Sequence, residues 1–412
     1  MTAQPAIRES VVPRHVSVAE ADAEIGRALR PFPVEVVPLR LAAGRVLREP
    51  VHADRDQPPF DRATMDGVAF RHSDWSPGLR ELVIAGIQAA GQPPLGRIEA
   101  GQCVEIMTGA VLPQGCDCVI PVEQIAVRDG RAVLAAGIVP RAMQFVHRRG
   151  SDRVAGATLL EAGMSLRGPE IAVLASAGRA RVRVSARPPI AVVSTGDELV
   201  DVEAVVEPHQ LRRSNDCALA AGLESRGYRE LTLRHVPDDR ERLRQLAGEL
   251  LEGHAVLMLS GGVSMGRYDH VPGVLESLGV VARFHAVRQR PGKPMWFGTA
   301  GDGQQVFALP GNPVSALVCL HRYVLPALER AEGRRSAARE TVRLAQSVEL
   351  DPGLTRFLPV RLGDAPGAGG ATPVYTNTSG DFTALAGSDG FIELPAARGH
   401  FPAGGAAPLY RW

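Results

Sequence analysis

Lysine is almost missing from this chain. Of 46 lysines and arginines in 412 residues, only Lys293 is a lysine. Arginine serves wherever a cation is wanted, so the isolated lysine marks a place that needs a compact ammonium and not a planar fork. Its setting, Arg290-Pro291-Gly292-Lys293-Pro294, favours function over chance. Cysteine is also sparse: five, an odd number, with no C-x-x-C spacing. That excludes a disulfide framework and a zinc ribbon. Cys116 and Cys118, the one close pair, read as structural. No apolar run approaches the roughly 18 residues of a spanning helix. The first ten residues, M-T-A-Q-P-A-I-R-E-S, hold no apolar signal core. Net charge is +1, which gives no global pull towards nucleic acid or a membrane surface. Neither G-x-x-x-x-G-K-[ST] nor a G-x-G-x-x-G after a strand occurs, so a P-loop and a dinucleotide fingerprint are excluded. These absences describe a reduced, cytoplasmic protein with neither membrane nor nucleic-acid partners, long enough for two to four domains.

The stretch 255–279 organises the rest. Residues 255–259 are wholly apolar, as in a strand buried on both faces of a parallel sheet. Ser260, Gly261, Gly262, Ser264 and Gly266 follow, and Val271, Val274, Leu275 and Leu278 then take helical spacing. A strand, a glycine-rich loop and a helix put that loop at the carboxyl end of a strand, where open α/β sheets bind ligands. Glycines let backbone N–H groups approach an anion. Ser260 and Ser264 add hydroxyls, and Asp269 adds a carboxylate. The combination suits a phosphorylated ligand with a metal beside it. On the loop alone, an ordinary tight turn accounts for the same residues equally well.

Around this stretch the chain divides by pattern. Residues 17–29 predict an amphipathic helix with Ser17 and Glu20 as a capping box. Short strands between Gly and Pro turns fill 79–134 and predict a β-rich unit. Thr108 closes one of them, and Asp66 lies in the proline-rich loop that precedes the unit. From 190 to 330, strands and helices alternate, which predicts a doubly wound parallel sheet. Its strand-ending turns carry Thr195, Gly196, Asp197 and Glu198, then Asp238, the 260–269 loop, and Pro310, Gly311, Asn312, Pro313 and Ser315. In a parallel sheet these turns share one edge. Carboxylates clustered beside backbone anion sites are a usual way to hold Mg2+ with a phosphate or pyrophosphate. From 341 the pattern returns to strands, with Arg361, Ser379 and Asp381 as polar candidates.

Six motifs stand in order along the chain: P-P-F-D-R-A-T-M-D-G, I-M-T-G-A, S-T-G-D-E-L, S-G-G-V-S-M-G-x-x-D, R-P-G-K-P and L-P-G-N-P-V-S. Together they resemble the MoeA-type molybdopterin molybdenumtransferases, relatives of the E domain of gephyrin, over nearly the whole chain. The resemblance implies a multidomain α/β plus β fold. Its parts would be a discontinuous helical domain (14–52 and 151–186), a β-rich inserted domain (53–150), a central doubly wound molybdopterin-binding domain (187–333) and a C-terminal β-barrel (338–412). The implied reaction inserts molybdate into adenylylated molybdopterin with Mg2+ and releases AMP, in a homodimer whose site spans the interface. By resemblance, Arg290, Lys293, Ser315, Arg361 and Ser379 hold molybdate. Asp66, Glu198, Asp238 and Asp269 match the family's acidic catalytic positions, the last three as metal ligands. Thr108, Thr195, Gly196, Asp197, Ser260, Gly261, Gly262, Ser264, Gly266, Pro310, Gly311, Asn312 and Pro313 match substrate-binding positions. Implied protein partners are the molybdopterin adenylyltransferase and acceptors of the finished cofactor.

One position departs from the family. Its members commonly carry a lysine where this chain has Ala286. Losing that cation is expected to weaken anion binding by about 1–3 kcal/mol, to be offset by Arg288, or to shift oxyanion choice towards tungstate. Two other classes compete with the transferase. The adenylyltransferase has a fold that resembles the central domain alone. A non-catalytic scaffold would resemble gephyrin, whose long linker and fused first domain have no counterpart here.

Overall fold

Continuous apolar runs decide the centre of the molecule. Ile190–Thr195 and Val256–Ser260 are buried at every position, as strands must be when helices cover both faces of a sheet. The computed structural model describes residues 12–76, 80–264, 269–301, 303–336, 338–363 and 370–412. Its central sheet and covering helices comprise β1 (Arg14–Val16), α1 (Val18–Ala28), β2 (Ile190–Thr195), α2 (Asn215–Ser225), β3 (Leu231–Val236) and α3 (Arg240–Gly253), followed by β4 (Val256–Ser260), α4 (Val271–Ser277), β5 (Val281–Val287), β6 (Trp296–Ala300), β7 (Gln304–Leu309) and α5 (Pro313–Cys319).

Strand order is β1-β5-β6-β7-β4-β2-β3. The run β7-β4-β2-β3 is parallel, with Ser194 opposite Ser260 and Ser260 opposite Leu309. The predicted parallel core is therefore present, but β6 runs antiparallel to both neighbours and makes the whole sheet mixed. Alternate side chains feed two cores. Val192, Met258 and Phe307 pack on one face, and Val193, Leu257 and Ala308 on the other. Burying each such side chain stabilises by about 1.5–3 kcal/mol relative to exposure.

Residues 14–28 depart from the grouping expected from sequence. β1 pairs parallel with β5, Arg14 opposite His285. α1 buries Val18, Ala21 and Ile25 against the central core, not against residues 151–186. The predicted capping box is present. The Ser17 hydroxyl accepts from the Glu20 N–H at 3.2 Å, and the Glu20 carboxylate accepts from the Ser17 N–H at 2.6 Å.

Val34–Pro38 pairs with Arg181–Ser185 and, with the helix Gly168–Ser176, closes a small separate core around Leu47, Leu166 and Leu174. The β-rich insertion is a six-stranded sheet that includes Cys118–Pro121, Gln102–Ile106, Glu81–Gln88 and Arg131–Leu134. In the C-terminal part, Thr355–Leu362, Gly390–Leu394 and Ala406–Arg411 form an antiparallel sheet extended by Thr341–Arg343. A barrel was expected there. The ladders give a curled sheet whose two ends meet at one isolated bridge, Leu344 with Ala371.

One helix ties these parts together. α5 continues through a π turn, Leu320–Val324, into the helix Leu325–Ala331. Arg322 in that turn is buried. It donates to both carboxylate oxygens of Asp22 in α1 and to Glu393 in the C-terminal sheet, each at 2.8 Å. A buried guanidinium is tolerated here because several of its N–H groups meet carboxylates.

Candidate active site

The four parallel strands end along one edge, and the loops that follow them enclose a cavity of about 840 Å³. Its wall carries Thr195, Gly196 and Glu198 after β2, Asp238 after β3, and Ser260, Gly261, Gly262 and Ser264 after β4. Asp269 and the loop Pro310, Gly311, Asn312 and Pro313 complete it. The β4 loop approaches β2 so closely that a Cβ on Gly261, at φ +103°, would lie 2.6 Å from the Thr195 hydroxyl. Only glycine fits there without strain. Asn215 fastens two of these loops together. Its amide donates to the Ser260 hydroxyl at 2.8 Å and to the Gly311 carbonyl at 2.7 Å. Sequence reasoning passed over Asn215 because a polar residue at a helix start reads as a cap. The Thr195 hydroxyl is buried under the Gly261 turn with no hydrogen-bond partner among the described residues.

Three carboxylates, Glu198, Asp238 and Asp269, line this chamber beside two arginines, Arg212 and Arg213, the second of which is paired with Asp201 and Asp216. Asp197 accepts from the Asp238 N–H at 3.0 Å. Burial, then the charges of Asp197 and Glu198, push the Asp238 carboxyl above the usual aspartate range. Among the described residues, no three His, Cys, Asp or Glu side chains converge closely enough to hold a metal unaided. Mg2+ is commonly bound by one or two carboxylates plus substrate phosphates. The donor set therefore fits a cation shared with a phosphorylated ligand, not a preformed metal cage.

A second chamber of about 420 Å³ adjoins the first and shares Pro294, Pro310 and Asn312 with it. Its wall holds Arg290, Lys293, Ser315 and Ser379 and no carboxylate. The Ser379 carbonyl accepts from the Val314 N–H at 3.2 Å, which docks the C-terminal domain on the start of α5. The expected fifth member, Arg361, is not on this wall, and its Nε donates to the Gly387 carbonyl at 3.0 Å. Arg356 lines the chamber in its place. The parallel pair Gln289–Arg290 with Thr355–Leu362 sets Arg356 directly opposite Arg290. Positions 356 and 361 differ by an odd number, so a strand turns them to opposite faces. Burial, then the charge of Arg290, pulls the Arg356 pKa below the usual arginine value. Its Nε is buried and has no hydrogen-bond partner among the described residues. Two guanidiniums and one ammonium beside serine, threonine and tyrosine hydroxyls make a receptor for a compact polyoxoanion.

Other expectations resolve by position. Ala286 is buried and left-handed at φ +68°, its N–H bonded to the Met295 carbonyl at 2.9 Å, and it lines neither chamber. Arg288 does not make good the missing lysine. It is exposed, lies towards Glu20, and lines neither chamber. Asp66 and Thr108 do meet: Asp66 accepts from the Thr108 N–H at 2.6 Å and hydroxyl at 2.7 Å. These bonds hold the Asp66 carboxyl below the usual range. The pair is exposed and lines neither chamber of its own chain. Gly266 lies outside the described residues.

Fold and site together define a multidomain α/β protein with two adjoining ligand chambers, one bearing carboxylates among mixed charges and one lined by cations without a carboxylate. Comparison with known families agrees along its length. Residues 16–178 match the "MoeA N-terminal region (domain I and II)", 191–330 the "Probable molybdopterin binding domain", and 341–412 the "MoeA C-terminal region (domain IV)". A molybdopterin molybdenumtransferase of Synechocystis is 42% identical over 371 residues, covering 90% of this chain and 93% of the relative. That of Synechococcus elongatus is 35% identical over 346 residues, covering 81% and 84%. The crystal structure of a molybdopterin biosynthesis MoeA protein from Pyrococcus horikoshii superposes with a TM-score of 0.79 at 30% identity, covering 96% of this chain and 99% of its own. The chain belongs to the MoeA family.

Proposed function

We propose that the chain is a molybdopterin molybdenumtransferase that inserts molybdate into adenylylated molybdopterin and releases AMP in molybdenum cofactor biosynthesis. The observation that carries this reading is the pair of chambers joined at Asn312, one lined by glycine loops with three carboxylates and two arginines, the other by cations without a carboxylate. The carboxylate-bearing chamber takes the pyrophosphate end of the pterin–nucleotide against the glycine loops. The cationic chamber takes molybdate on Arg290, Lys293, Arg356, Ser315 and Ser379. Mg2+, held by one or two of Glu198, Asp238 and Asp269 together with the pyrophosphate, would neutralise phosphoryl charge. The chain's own groups then do the positioning. Backbone N–H groups of the Ser260–Gly262 turn orient the phosphates. The cations hold molybdate at the shared wall, where one oxo ligand takes up the two dithiol protons and leaves as water as the two sulfurs bind molybdenum, and another water cleaves the pyrophosphate to give AMP and the pterin monophosphate. Asp66 and Thr108 serve the site of a second copy in a cytoplasmic homodimer. The molybdopterin adenylyltransferase supplies substrate, and cofactor acceptor proteins take the product.

The test is AMP release from adenylylated molybdopterin with Mg2+, given molybdate or tungstate, for the wild type and Asp269→Asn. Molybdate-dependent release that the variant loses is the expected result. Release with tungstate alone would make this a tungsten enzyme. No release from folded protein with either oxyanion would refute the transferase.

A further inference from the structure

Three cations facing one small chamber repel each other, so something must hold them in place. Gln289, fully buried beside Arg290, is hydrogen-bonded at both amide atoms. Its amide oxygen accepts from the Tyr323 hydroxyl, and its amide nitrogen donates to the Pro291 carbonyl at 3.2 Å and reaches the Cys319 sulfur at 3.7 Å. The Cys319 sulfur also lies 3.9 Å from the Gly292 carbonyl. A Cβ on Gly292 would come within 2.6 Å of the Gln289 amide nitrogen, so the loop lies flush on this network. Tyr323 belongs to the π turn, and so does Arg322. Arg322 grips Glu393, which stands opposite Phe357, the neighbour of Arg356.

We propose that this π turn is the positioning element of the oxyanion chamber. Tyr323, through Gln289, sets the loop that carries Arg290 and Lys293, while Arg322, through Glu393, sets the strand that carries Arg356. One helical turn thereby fixes the separation of cations on two domains, and with it the size of oxyanion that is held. A π turn suits the task because its widened backbone re-aims side chains within an otherwise regular helix. A fully satisfied buried network gives the rigidity. The proposal rests on assigning the cationic chamber to molybdate. Tyr323 and Arg322 act through other residues and are positioning residues, not catalytic ones.

The test uses the full chain and two titrations by calorimetry, molybdate alone and AMP with Mg2+. Tyr323→Phe and Gln289→Leu are compared with Leu174→Ala, a core truncation in the separate small core. Molybdate affinity is expected to fall about tenfold in the first two, the size of one buried hydrogen bond left unmade. AMP affinity should hold. Leu174→Ala should lower Tm and change neither affinity. Wild-type molybdate affinity in both Tyr323→Phe and Gln289→Leu, with only Tm reduced, would overturn the positioning role. No molybdate binding by the wild type would overturn the chamber's assignment and this proposal with it.

Discussion

The two chambers share a wall but are made differently. The carboxylate-bearing one is built at the edge of a single sheet. Four parallel strands end together, and apart from Gly380 and Phe382 its wall comes from the central domain. The cationic one is built between domains, with Arg290, Lys293 and Ser315 on one side and Arg356 and Ser379 on the other. A site at a sheet edge inherits its shape from the ladder. A site between domains depends on whatever holds the domains, here the buried Arg322. The first should survive loss of interdomain contacts, and the second should not.

The sharpest way to break the comparison is Arg322→Met. Removing the guanidinium takes the buried cation from Asp22 and Glu393; Asp22 is a third exposed with Arg339 at 3.9 Å and Glu393 keeps the Tyr410 hydroxyl, so the cost lies at or below about 3 kcal/mol. Urea denaturation should register that loss. Below the midpoint, molybdate binding should fail while AMP binding with Mg2+ persists, and loss of both would mean the chambers are not separable. Next in size are Lys293→Ala and Arg356→Ala. Each removes charge-assisted hydrogen bonds, so molybdate affinity should drop about 10- to 100-fold per substitution. Arg361→Ala should leave it within about twofold, because an exposed side chain bonded to Gly387 contributes little.

A smaller effect sharpens the carboxylate side. The folded state holds the Asp238 proton more tightly than the unfolded chain does, so this carboxyl's contribution to stability falls as pH rises from the ordinary aspartate value through the raised one. At neutral pH the charged form opposes folding. Asp238→Asn should therefore raise Tm in metal-free buffer at pH 7, with the gain vanishing at low pH, while AMP release is lost. A drop in Tm at pH 7 would contradict the charge crowding described here. Mixing Asp66→Asn with Asp269→Asn subunits addresses the shared site. Random pairing should restore roughly a quarter of wild-type activity if each site draws on both copies, and none if each site lies within one chain.

The same contrast explains what could be read without a structure. The carboxylate-bearing chamber is spelled out in contiguous motifs, S-T-G-D-E-L, S-G-G-V-S-M-G and L-P-G-N-P, because each strand end contributes a whole loop. The parallel core was visible for the same reason, as apolar runs followed by glycine turns. The cationic chamber was only half legible. Arg290 and Lys293 share a motif, but two arginines five positions apart in one strand look alike until the register with Gln289–Arg290 selects Arg356. β1 is three residues long and shows no period of its own. The π turn leaves no mark in the sequence because its residues also suit an ordinary helix. Asn215 and Gln289 were overlooked because their roles depend on partners distant in sequence.

The proposal stands on oxyanion and nucleotide being held in separate chambers, of which only the nucleotide's carries carboxylates. The most direct test measures both affinities, molybdate and AMP with Mg2+, in Lys293→Ala/Arg356→Ala and in Asp238→Asn/Asp269→Asn. The account predicts that the first pair loses molybdate and keeps AMP, and that the second loses Mg2+-dependent AMP binding and keeps molybdate. Either double variant losing both ligands, or neither, would contradict it.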